Sequence, residues 1–92
     1  MPSANARHIL VDSEAECLKL KAEIEAGADF AEVAKKKSSC PSRMRGGDLG
    51  TFAQGQMVRE FDEVAFSGEL NKVLGPVKTE FGYHLLLVTK RW

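Results

Sequence analysis

The stretch Cys40–Phe61, CPSRMRGGDLGTFAQGQMVREF, decides how the rest of the chain is read. Four glycines and one proline fall within its twenty-two residues, a density that marks turns. A flexible linker of that kind is filled with small polar residues. This one carries Leu49, Phe52, Met57, Val58 and Phe61 instead. Large apolar groups along a turning backbone imply a shaped surface that excludes water, with Cys40 at its edge. Pro41 stops any helix arriving from the N-terminal side and holds Cys40 extended, so Ser38–Arg45 reads as loop. Gly46-Gly47 turns the chain into a short strand, Asp48–Phe52, and Gln54-Gly55-Gln56 turns it again. Met57–Phe66 then reads as a helix, with Phe61, Val64 and Ala65 at packing spacing and Ser67-Gly68 at its end.

Upstream, Ala6–Val11 reads as a strand that finishes on β-branched Ile9 and Val11. Ser13 and Glu16 have the spacing of a capping box. The helix they open repeats Cys17, Leu20 and Ile24 on one face and Glu14, Lys21 and Glu25 on the other, and Gly27 ends it. Asp29 and Glu32 repeat the capping signal at once. The second helix turns Phe30, Val33 and Ala34 inward, and Lys35, Lys36 and Lys37 oppose the macrodipole in its last turn. Downstream, Val73–Thr79 reads as a strand that Pro76 confines to an edge or a strand start. Gly82–Lys90 is the strongest strand signal: Tyr83, Leu85 and Leu87 face one way, His84, Leu86 and Val88 the other. Glu80-Phe81 joins the two as a hairpin. The order β-α-α-β-α-β-β predicts an α+β fold with one sheet.

Ninety-two residues are enough for one domain, expected to span 1–92. The composition, 43% hydrophobic and 28% charged, is that of a soluble globular chain. Thirteen basic residues balance thirteen acidic ones. A general nucleic-acid binder is strongly basic, so no nucleic-acid partner is expected. The opening MPSANARHIL lacks the apolar run of a secretory leader. No stretch reaches the roughly 18 apolar residues of a membrane span, and no membrane partner is expected. Cys17 and Cys40 form no CxxC pair and no disulfide framework, which points to a reducing cytoplasm. A monomer is expected, with the strand around Pro76 as an exposed edge.

Several chemistries can be weighed against the residues present. Gly46-Gly47-Asp48-Leu49-Gly50 leads into a strand rather than a helix, so it does not cradle phosphate. His8, Cys40 and His84 are scattered singly, without the paired spacing of a zinc site, and no metal or cofactor is expected. A nucleophilic Cys40 paired with His8 or His84 is compatible with the spacing. Against it, so short a chain has little material left for an oxyanion hole and a substrate cleft. Each histidine alone reads as a satisfied core residue. Two of them, on the first and last strands, are more suggestive: if those strands pair, the rings meet.

The residues together resemble the parvulins, the small peptidyl-prolyl cis-trans isomerases, and in particular the stand-alone bacterial PpiC type. The resemblance rests on Arg7-His8-Ile9-Leu10-Val11, Gly27-Ala28-Asp29-Phe30 with Ala34, Ser38-Ser39-Cys40-Pro41-Ser42, Gly46-Gly47-Asp48-Leu49-Gly50, Gly55-Gln56-Met57-Val58 with Phe61, Gly75-Pro76-Val77 and Phe81-Gly82-Tyr83-His84. These run in order from residue 7 to residue 90. The resemblance implies a parvulin/FKBP-like α+β fold, a four-stranded, mainly antiparallel sheet surrounded by about four helices. It implies isomerisation of X-Pro bonds without a covalent step, in aid of protein folding, on proline-containing peptides and unfolded chains. His8, Cys40 and His84 take the catalytic positions. Leu49, Met57, Phe61 and Phe81 take those of the proline pocket, and Ser39 and Thr79 those of supporting polar groups.

One departure from the family pattern bears on specificity. Phosphate-directed parvulins carry a longer basic loop after the first strand. Here Val11 is followed by Asp12 and the helix cap Ser13, so no preference for phosphoserine-proline is expected. Arg43 and Arg45 favour acidic flanks on one reading and are plain solvated loop charges on another. Two rival functions remain beside the isomerase: a module that binds proline-containing segments without turning them over, and an enzyme that uses Cys40 covalently.

Overall fold

The computed structural model describes residues 2–92; Met1, the first residue of the expected domain, lies outside them. Four strands form one sheet: β1 (Ser3–Val11), β2 (Asp48–Ala53), β3 (Val73–Thr79) and β4 (Gly82–Arg91). Their spatial order is β2-β1-β4-β3, and every neighbouring pair is antiparallel. Three α-helices, α1 (Glu14–Glu25), α2 (Phe30–Lys37) and α3 (Arg59–Ser67), are joined by a 3-10 helix, Pro41–Arg45.

The first and last long strands are therefore the two central ones. The alternation on β4 divides the core between the two faces of the sheet. Leu86 and Val88 pack with Ala4, Ala6, Phe52, Phe61, Ala65 and Val77 on the α3 side. Leu85 packs with Ile9, Val11, Cys17, Leu20, Phe30 and Val33 on the side of α1 and α2. The N-cap bond of each capping signal forms. Ser13 Oγ accepts from the Glu16 amide at 3.1 Å, and Asp29 Oδ2 from the Glu32 amide at 3.2 Å. Pro76 lies on β3, an edge strand.

Three expectations are corrected. β1 starts at Ser3 rather than Ala6, because Ser3, Ala4 and Asn5 pair with Ala53, Phe52 and Thr51 of β2, and Ala4 is fully buried against the α3 side of the core. Ser38–Arg45 is not all loop. Pro41 opens a 3-10 turn with its fixed φ, and Gly46 closes it in the left-handed region (φ 66°). Of the roughly four helices implied, three are α-helices and the fourth is this turn. α3 begins at Arg59, not Met57. Val58 is extended (φ −58°, ψ 150°), so Met57 and Val58 approach the helix as a strap over the cavity described below.

Candidate active site

Strand pairing brings the two histidines together. β1 and β4 run with Leu10 opposite His84 and His8 opposite Leu86. His8 and His84 therefore sit diagonally on the same face, and their rings stack at 5.3 Å with 19° between planes. The two Nδ1 atoms are 3.1 Å apart. Such a contact holds one proton, so one ring donates and the other accepts.

Thr79 Oγ1 lies 2.7 Å from His84 Nε2 and accepts the Phe81 amide at 3.2 Å. Two proton orders satisfy these contacts: the Thr79 hydroxyl donates to His84 Nε2 while His84 Nδ1–H donates to His8 Nδ1, or His84 Nε2–H donates to Thr79 Oγ1 while His8 Nδ1–H donates to His84 Nδ1. In both, His8 Nε2 is left without a partner, one of two such buried side-chain atoms among the described residues, the other being Ser42 Oγ. Burial keeps both rings neutral. His8, 6% exposed, is depressed from 6.5 to about 4, first by desolvation and then by the neighbouring His84. Desolvation lowers His84 as well. Phe61 stands edge-on to both rings, at 5.6 Å from each.

Above this floor is a cavity of ≈ 350 Å³. It collects His8, His84, Ser39, Cys40, Leu49, Met57, Phe61 and Phe81, which are widely separated in sequence. Thr79 is not on the wall; it stands behind His84 and braces it. Phe81, at the tip of the β3–β4 hairpin, is 62% exposed, whereas Phe61 is 3% exposed and part of the core. One aromatic is a rim and the other a foundation.

Glycine is required where the strand enters the site. Gly47 has φ 82°, and a Cβ there would collide with the His8 carbonyl oxygen. The Gly47 carbonyl in turn accepts the His8 amide at 2.9 Å. This close approach lets the Cys40–Gly47 segment lie against β1 beside the histidine floor.

Leu10, Pro41 and Val58 also line the cavity and were not among the expected site residues. Leu10 was findable, since it is two residues from His8 on a strand and so shares its face. Val58 adjoins Met57 in the strap, which the sequence reads as helix. The polar support of Cys40 comes from the two serines before it. Ser39 donates from Oγ to the Leu10 carbonyl at 3.1 Å, and the Cys40 amide donates to Ser38 Oγ at 3.3 Å. Both lead to β1.

Comparison with known proteins follows the same lines. The family description that matches is the rotamase, or PpiC-type PPIase, domain, over residues 5–90. The foldase protein PrsA of Exiguobacterium sibiricum is 48% identical over 94% of this chain, which spans 29% of that protein. PrsA of Geobacillus kaustophilus is 44% identical over 98% of this chain and 32% of its own. The chain thus spans about a third of these curated relatives. Among solved structures, the peptidylprolyl isomerase PrsA of Bacillus anthracis superposes with a TM-score of 0.96 at 37% identity, covering 99% of this chain and 42% of that one. The parvulin NmPin of Nitrosopumilus maritimus superposes with 0.88 at 33% identity, covering 98% of both.

Proposed function

The chain belongs to the PpiC-type peptidyl-prolyl cis-trans isomerase family, and from that footing we propose that its cavity accelerates rotation about X-Pro bonds in flexible or unfolded polypeptide. The observation that carries this reading is the cavity itself: an apolar space of ≈ 350 Å³ over a neutral histidine pair. Rotating the amide costs roughly 18–20 kcal/mol, because its resonance must be broken. No covalent bond forms, so the work is done by holding and by environment. Leu49, Met57, Phe61 and Phe81 grip the pyrrolidine ring while the preceding carbonyl turns. An environment poor in water disfavours the charge-separated planar amide relative to the twisted one. Cys40 presents a polar edge to the moving carbonyl. The floor of His8, His84 and Thr79 keeps the wall in place rather than shuttling protons, which suits two rings that burial keeps uncharged.

Between β1 and α1 stand only Asp12 and the cap Ser13, too short a connection for a basic phosphate clamp. The proposed substrates are therefore proline segments without phosphate. The proposed state is a monomer, because both outer strands carry their own covers. On β2 the Gly50 amide is taken by Asp48 and the Ala53 amide by Gln56. On β3 Lys21 caps the Gly75 carbonyl at 2.7 Å, beside Pro76. The proposed compartment is the reducing cytoplasm, on the strength of two unpaired thiols.

The deciding experiment follows cis-to-trans conversion of short peptides with leucine, alanine, glutamate or phosphoserine before proline. Acceleration of the first three is expected. Silence toward all four would sink the isomerase reading, and turnover of the phosphoserine peptide alone would sink its specificity. Cys40→Asp is expected to keep more activity than Cys40→Ala. Loss of all turnover in Cys40→Asp, with trapping of a thioester or alkylated intermediate in the parent, would favour covalent chemistry.

A further inference from the structure

β2 pairs with β1 only as far as Arg7 opposite Asp48, and the His8 amide still reaches Gly47. Beyond that point the outer edge of β1 has lost its strand neighbour. Leu10 turns both backbone groups toward this edge. Its amide donates to Ser38 Oγ at 3.0 Å, and its carbonyl accepts the Ser39 amide at 2.8 Å. Two residues of the chain leaving α2 thus continue the ladder where β2 stops.

Ser38 is 1% exposed, one of the most deeply buried polar side chains of the chain. Its Oγ accepts a second backbone donor, the Cys40 amide, at 3.3 Å. One hydroxyl oxygen is therefore bonded both to the histidine-bearing strand and to the residue at the polar edge of the cavity. No side-chain bond caps the 3-10 helix that Cys40 begins, and the side chain bonded directly to the Cys40 backbone is that of Ser38.

We propose that Ser38 is a positioning residue for the isomerase site: its hydroxyl docks Cys40 onto β1 at Leu10, two residues from His8. This rests on the reading of the cavity as a prolyl isomerase site. It adds that the placement of Cys40 is set from the β1 edge and not by the histidine pair. Displacing a catalytic group by about 1 Å costs up to a hundredfold in rate. Removing the hydroxyl should therefore act on turnover more than on substrate binding.

The test uses Ser38→Ala, Ser38→Thr, Cys40→Ala and the double variant Ser38→Ala/Cys40→Ala. Amide hydrogen exchange is read residue by residue, and cis-to-trans rates on a leucine-proline peptide are measured alongside. In Ser38→Ala the Leu10 and Cys40 amides should exchange about tenfold faster or more, while those of Leu85 and Leu86 in β4 keep their rates. Its kcat should fall about tenfold with KM little changed, and Ser38→Thr should restore most of it. In the Cys40→Ala background the same serine change should cost nothing further. Equal acceleration of exchange throughout β4 would reduce Ser38 to a stability residue and overturn the proposal. So would an equal loss of kcat with and without Cys40. If the parent protein turned over no peptide, the isomerase reading would fall, and the exchange at Leu10 and Cys40 would still decide whether Ser38 holds the segment.

Discussion

At the scale of single residues, the His8–His84 pair makes the protein sensitive to acid. The folded chain holds His8 down to about 4, while the unfolded chain titrates it near 6.5. Between those values the unfolded state binds a proton that the folded state refuses. Stability is thus full above 6.5 and falls as pH drops toward 4. A gap of that size corresponds to about 3 kcal/mol. Urea unfolding at pH 7 and at pH 4.5 should show the loss, and a His8→Asn variant should flatten the histidine share of it. A profile that stays level in the parent between these pH values would refute the burial argument. The same residues show what a sequence does and does not reveal. His8 and His84 stand out because histidine is rare in this chain, and alternation puts them on strand faces. Their 3.1 Å contact depends on strand register, which no local signal carries. Ser38 belongs to a segment that carries the family resemblance, but no local pattern marked its bonds to Leu10 and Cys40: a serine after three lysines reads as the end of a helix.

At the scale of elements, the cavity is assembled from pieces of unequal stability, and substitutions should separate them. Phe81 rides the β3–β4 hairpin tip and is 62% exposed. Phe81→Ala should lower kcat/KM about five- to tenfold while moving the unfolding midpoint little, since exposed sites contribute within about 0.5 kcal/mol. Phe61 is buried against Phe52 and both histidines. Phe61→Ala should cost about 3–5 kcal/mol and activity with it. Finding the two variants equally destabilised would contradict this division. Gly47→Ala should be severe for another reason, because the left-handed backbone and the His8 carbonyl both refuse a side chain. A loss of at least about 2 kcal/mol is expected by thermal unfolding, with the histidine floor displaced. The elements themselves were largely legible. Capping pairs marked α1 and α2, and alternation marked β4. The misread boundaries share a cause in tertiary contacts: Ser3–Asn5 are strand residues because β2 and β4 pair with them, and Met57 and Val58 form a strap along the cavity.

For the molecule as a whole, both sheet edges carry backbone groups bonded by the chain's own side chains: Asp48 and Gln56 on β2, and Lys21 beside Pro76 on β3. Sedimentation equilibrium should therefore return a monomer mass across the micromolar range, and a Lys21→Ala change that produced dimers would identify its cap as the barrier. The α+β class with one sheet followed from element order, and the mainly antiparallel sheet from the family resemblance. The β2-β1-β4-β3 arrangement did not, because it depends on which strands meet across the whole length of the chain. That arrangement has a mechanical consequence. β1 and β4 are the central strands, and their outer ends meet where Ser3 and Trp92 exchange backbone hydrogen bonds of 2.7 and 2.9 Å. A load applied between these two residues pulls the strands apart crosswise, one rung at a time, instead of shearing the ladder along its length. The protein should yield to a stretching force far below what the same strands would bear if pulled from opposite ends, and the first rungs to open lie at the end of the sheet farthest from the histidines. Optical-trap extension with handles at Ser3 and Trp92, set against handles at Ser3 and Gly82, should show the difference as a low, gradual rip in the first geometry and a high, abrupt one in the second.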